Sequence, residues 1–121
     1  MQPTEAHNEK MARSQFAGVY PYYLAKVEKK GRTRAELHLV IQWLTGFNEE
    51  RILQLIQEKV TFQEFFAQAH LNPAAQNIKG LICGYRVEEI QNPLTQKVRY
   101  LDKLIDELAK GKKLDTIFRT L

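Results

Sequence analysis

From Phe16 onward, apolar residues recur at three- and four-residue spacing, and residues that start and stop helices interrupt the pattern. The spacing predicts a first helix over Val19–Lys29, with Tyr20, Leu24 and Val27 on its inner face. Pro21 falls in its first turn, where backbone N–H groups lack intrahelical partners, and Gly31 is placed to end it in a left-handed cap. Thr33-Arg34-Ala35-Glu36 reads as a capping box, in which hydroxyl and carboxylate each accept from an N–H of the opening turn. A second helix therefore follows over Arg34–Thr45. Leu37, Val40, Ile41 and Leu44, joined by Leu39 and Trp43, leave only Arg34, His38, Gln42 and Thr45 as a polar strip. This helix is expected at the buried centre, with Trp43 and Leu44 inside.

Gly46 closes that helix and Asn48 opens a third, with Ile52, Leu55 and Ile56 inward. Thr61-Phe62-Gln63-Glu64 is a second capping box, starting a short helix whose Phe62, Phe65 and Phe66 must face the core. Asn72-Pro73 and Asn92-Pro93 each pair an N-cap residue with proline at the first helical position. Between them Ile78, Leu81, Ile82 and Tyr85 fit a helix, while Gly80 and Gly84 leave a strand over Leu81–Val87 open. No Asn-Gly or Asp-Gly hairpin signal occurs. Pro93–Lys110 is the clearest helix, its stripe of Leu94, Val98, Leu101, Ile105 and Leu108 spaced four, three, four and three. Leu101 is expected in the core. Tyr100 and Leu104 widen the stripe enough to suggest pairing with a second copy. Asp106 and Lys110 form a favourable i, i+4 pair, and Lys110, Lys112 and Lys113 surround a Gly111 cap. A short amphipathic piece, Leu114–Leu121, follows.

These elements give an all-α (mainly α) fold, a single-domain bundle of five to seven short helices with a long C-terminal helix over residues 14–121. Residues 1–13 are polar at the start and without apolar period, and read as a disordered tail. At 121 residues, 44% hydrophobic and 26% charged, the chain can bury a core. Its longest uncharged run, Phe65–Ile78, is too short and too polar to cross a bilayer about 30 Å thick. One cysteine forms no internal disulfide and no CxxC pair, which fits a reducing cytoplasm.

Charge then singles out one segment. Lys26–Arg34 holds five of the 18 Lys and Arg against Glu28 alone, so the remainder of the chain is balanced. Lys29, Lys30, Gly31, Arg32, Thr33 and Arg34 join a glycine-ended helix to a helix start, a place where phosphate or carboxylate can sit. The competing reading is a solvated turn. The same hairpin has the layout of a helix-turn-helix, but the second helix exposes little beyond its polar strip, so nucleic acid is the weaker alternative. Tyr22 is the outward member of the Tyr20, Tyr22, Tyr23 group. Cys83 lies far in sequence from His38 and His70 and reads as buried packing rather than a nucleophile. Arg86, Glu88 and Glu89 with Arg99, Asp102 and Asp106 read as ion pairs fixing the turn at Asn92-Pro93. HExxH, CxxC, GxGxxG and GxSxG do not occur, so no metal, cofactor or catalytic residue is assigned.

The strings KKGRT, WLTG, CGYRVE, RYLDKL and DELAKGK, in that order across Phe16–Ile117, resemble the bacterial family catalogued as domain of unknown function 2200. The resemblance implies a small cytoplasmic protein and brings no catalytic residue with it. It also implies a start near Met11, with Met1–Lys10 an extension. The expected function is a non-catalytic binding or regulatory module with an anion or phosphate site at residues 29–34, acting as a homodimer. The alternative is a small-ligand protein or enzyme with a pocket near the central helix and Cys83.

Overall fold

The computed structural model describes all 121 residues. Seven α-helices follow in the order α1 (Glu5–Arg13), α2 (Phe16–Glu28), α3 (Arg34–Thr45), α4 (Glu49–Gln57), α5 (Phe62–Gln68), α6 (Pro93–Ala109) and α7 (Leu114–Ile117). Between α5 and α6 lie 3-10 turns at Pro73–Asn77 and Val87–Glu89 and a hairpin of β1 (Leu81–Ile82) and β2 (Tyr85–Arg86). The fold is mainly α, as the spacing predicts. Both capping boxes form, at Thr33 with Glu36 and at Thr61 with Glu64, and Asn48, Asn72 and Asn92 each cap the element that follows.

The long helix α6, not α3, is the centre. It packs against α1, α2, α3, α5, α7 and β1, and buries Val98, Tyr100, Leu101, Leu104, Ile105 and Leu108. Tyr100 and Leu104, which suggested a second copy, are thus covered by the chain itself. Phe16, Phe62, Phe65 and Phe66 stack and tilt on one another beside it, with Phe16 and Phe65 centroids 4.4 Å apart. α3 is amphipathic in a way its composition hid. Leu39 stands half in solvent and Trp43 is only partly buried, stacked on Phe118, whereas His38 and Thr45 of the expected polar strip are inside. Burial is permitted there because both polar groups are paired. Thr45 Oγ1 donates to the Ile41 carbonyl at 2.7 Å, and His38 bridges Tyr20 of α2 and Glu49 of α4.

Residues 5–13, expected as disordered tail, form α1. Thr4 accepts from the His7 N–H at 3.1 Å, and the segment is tied down by polar bonds, with Met11 packed partly against the core. Thr95 Oγ1 donates to Asn8 Oδ1, while the Gln2 amide bonds the backbone at Glu89 and Gln91. No residue of α1 is fully buried, which is why no apolar period announced it. Helix α2 starts three residues before Val19, so Pro21 lies inside it rather than in its first turn. A proline there removes one ladder bond, and Phe16, Tyr20, Tyr23 and Val27, all buried, hold the helix in place.

Leu81–Val87 is a hairpin and turn, not a helix. Ile82 pairs with Tyr85, so Cys83 and Gly84 form a two-residue loop with φ of 49° and 83°. Positive φ at both positions matches the twist of the flanking strands, a role usually taken by Asn-Gly. A cysteine in the first position concealed the signal. Cys83 is exposed at the tip, contrary to its expected burial.

Candidate functional site

Helices α2 and α6 end alike. Past α2, the Arg32 N–H returns to the Val27 carbonyl at 3.0 Å across Gly31; past α6, the Lys112 N–H returns to Glu107 at 3.1 Å across Gly111. Both glycines are left-handed, at φ 82° and 90°, as these closures require. Arg32 binds the two turns to each other. Its Nη1 donates to the Lys112 carbonyl at 2.8 Å and, more weakly, to Leu108 at 3.4 Å. Its Nε and Nη2 clasp Glu36 at 3.1 and 2.8 Å.

This geometry divides the six residues expected at an anion site. Arg32 is engaged internally, with a side chain only 16% exposed. Thr33 and the opening N–H groups of α3 serve the capping box, where the Glu36 carboxylate already accepts from the Thr33 N–H at 3.0 Å. Arg32 beside it, with the Thr33 bonds, holds Glu36 below the usual carboxylate range. Lys29, Lys30 and Arg34 project into solvent around Gly31 without a carboxylate partner.

What the sequence did not reveal is the second basic turn beside the first. Lys110, Lys112 and Lys113 are exposed, and Lys113 too has no carboxylate partner. Asp106, between Lys26 at 3.1 Å and Lys110 at 2.9 Å, is raised by partial burial but lowered further by those two ammonium groups, so it stays ionised. Glu107 is buried against Arg119, whose Nη2 lies 2.7 Å from Oε2. Counted over the segments joined here, residues 26–36 and 106–119, nine Lys and Arg face five Asp and Glu. The whole net charge of +4 therefore resides at this end. The signal was present as two separate glycine-centred lysine clusters, 80 residues apart, whose turns Arg32 joins.

The other candidates fall out differently. In α3, His38 and Thr45 are inside and only Arg34, Ala35, Leu39 and Gln42 are exposed, leaving few groups to read a base edge. The ion pairs of Arg99 with Asp102 and Arg86 with Glu88 are local, and none spans the Asn92-Pro93 turn as expected. Tyr23 donates to Asp102 at 2.8 Å, and burial together with that carboxylate pushes its pKa well up. Cys83 meets this group through Arg99, while His38 and His70 do not approach it.

The architecture is that of a small, mainly helical domain whose net charge is gathered at one end. No helix is long and apolar enough to cross a membrane. The chain belongs to a family of uncharacterised proteins conserved in bacteria, DUF2200, whose model matches residues 10–119. It is similar to the crystal structure of uncharacterized protein SP1917, with 44% identity over 90% of each chain and a TM-score of 0.84. The curated proteins contain no match.

Proposed function

We propose that the protein is a non-catalytic binding module of the cytoplasm whose basic end takes a phosphate-bearing chain ligand. The observation that carries this reading is the gathering of the entire +4 onto the two segments, 26–36 and 106–119, whose turns are fastened together by Arg32. Four cations there, Lys29, Lys30, Arg34 and Lys113, have no carboxylate partner and are free to meet phosphates. Glu36 already fills the α3 N-terminus, so a single enclosed phosphate is less well served than several spaced along a chain.

Fluorescence anisotropy with inorganic polyphosphate and a labelled single-stranded oligonucleotide tests the reading. Four contacts predict a slope of log K against log salt of about −3 for single strands, and so a loss of roughly fiftyfold between 50 and 200 mM salt. Replacing Lys29, Lys30, Arg34 and Lys113 together by glutamine should abolish binding and leave the melting temperature within about 2 °C, since all four are exposed. Affinity that survives the quadruple change sinks the proposal.

A further inference from the structure

A second site is suggested where α1, α2 and α6 meet the β-hairpin. One hollow of about 230 Å³ is lined by His7, Lys10, Met11, Val19, Tyr23 and Arg99. An adjoining one of about 310 Å³ lies across Tyr23, Arg99 and Asp102 and reaches Ile82, Cys83 and Ile105. The first volume lies below, and the second at the low end of, the usual range of about 300–1,000 Å³ for ligand sites, which suits only a small metabolite.

The polar groups at their junction are unequally satisfied. Both oxygens of Asp102 have a donor: Tyr23 donates to Oδ1 at 2.8 Å and Arg99 Nη1 to Oδ2 at 2.7 Å. Arg99, by contrast, has one carboxylate and two weak acceptors. Its Nη1 reaches Cys83 Sγ at 3.3 Å, its Nη2 reaches His7 Nε2 at 3.3 Å, and its Nε is buried without an acceptor. A thiol sulfur and an imidazole nitrogen are weaker acceptors than a carboxylate for a guanidinium whose side chain is only 11% exposed. A carboxylate replacing them would exchange two weak acceptors for charge-assisted bonds. Lys10 at the rim adds a second cation, whereas Lys26 is already held by Asp106. Met11, Val19 and Val98 supply apolar wall beside these charges.

We infer that this cleft binds a small organic carboxylate with an apolar body, its carboxylate on Arg99 and Lys10 and its body beside the Cys83 thiol. The inference is separate from the reading of the basic end and stands or falls without it.

Cys83 is the only cysteine and is exposed, so thiol reagents report on this site alone. Its reaction rate with dithiobis-nitrobenzoate, an aromatic carboxylate disulfide, is compared with that of neutral dithiodipyridine. The ratio of the two rates is expected to fall about tenfold in Arg99→Gln and about threefold in Lys10→Gln, the latter an exposed position that leaves the fold intact. Millimolar benzoate should slow the neutral reagent in the wild type, and chloride at equal ionic strength should not. Rate ratios within twofold of wild type in Lys10→Gln, or equal effects of benzoate and chloride, overturn the inference, and these arms decide it even if Arg99→Gln does not fold.

Discussion

Arg32→Gln is the sharpest test of how the basic end is built, because a free anion-binding arginine and a structural clamp predict opposite results. Glutamine removes the charge and shortens the reach. The Glu36 pair is a partly exposed i, i+4 contact and contributes about 0.5–1 kcal/mol. The 2.8 Å bond to the Lys112 carbonyl is charge-assisted and closes the C-terminal end of α6, a contribution of about 1–1.5 kcal/mol, and the 3.4 Å bond to Leu108 adds little. The loss comes to about 2 kcal/mol. For a chain of this length each kcal/mol moves the midpoint by roughly 3–5 °C, so Arg32→Gln should melt about 6–10 °C below wild type. Arg34→Gln, at an exposed side chain with no partner, should fall within about 2 °C. Arg32→Lys should recover less than half the loss, since an ammonium cannot fork between Glu36 and the Lys112 carbonyl. Calorimetry or circular dichroism at low and at 0.5 M salt provides the measurement, as the carbonyl bond is screened less than the Glu36 pair. An Arg32→Gln protein that melts with Arg34→Gln would show that the two turns are not fastened by this side chain.

Arg119→Ala leaves Glu107 in the interior with only Lys112, 3.5 Å away, to answer its charge, and should cost about 3–4 kcal/mol by urea unfolding. Phe65→Ala, emptying the centre of the aromatic cluster, should cost about 3–5 kcal/mol. Cys83→Asn places a residue tolerant of positive φ at the hairpin tip and should raise stability by up to about 1 kcal/mol; a drop would mean that the Arg99 contact outweighs the backbone preference. Acid should destabilise the fold. Glu36, Glu64, Glu88 and Asp106 all titrate below their ordinary values, held there by Arg32, the Thr61 N–H, the Gly80 N–H, and Lys110 with Lys26 against partial burial, respectively. Their contribution is present above the ordinary carboxyl range, around pH 4, and is lost as pH falls through the lower folded values. At the alkaline side burial raises Tyr23, Tyr20 and Tyr100, so stability should decline as pH climbs past about 10. A melting temperature that rises between pH 5 and 3 would contradict this. Sedimentation equilibrium at micromolar concentration tests for pairing: with the α6 stripe interior, a dimer would have to use outward residues such as Tyr22, Leu39 and Leu53, and a constant mass of 14.1 kDa excludes it.

Helix starts were legible in the sequence because a cap is a local event: Thr33 with Glu36, Thr61 with Glu64, and Asn48, Asn72 and Asn92 act within three residues of themselves. The α6 stripe and the phenylalanines of α5 were legible because their apolar period leaves one inward face. Elements held by distant polar partners were not. Helix α1 depends on Asn8 meeting Thr95 and on Gln2 meeting the backbone at Glu89 and Gln91, and the hairpin depends on a cysteine accepting a left-handed backbone. His38 looked solvent-facing by period and became interior because Tyr20 and Glu49, from two other helices, satisfy both ring nitrogens.

The same distinction governs the candidate sites. The chain's composition and order determined that it carries a +4 excess and two lysine-flanked glycine turns. That those turns adjoin, that Arg32 is consumed in joining them, and that Cys83, Arg99, Asp102, Tyr23 and His7 converge on one cleft were decided by tertiary packing. Capping and amphipathic period are set by neighbours along the chain, whereas burial of a charge and the company it keeps depend on which remote segment supplies the compensating group.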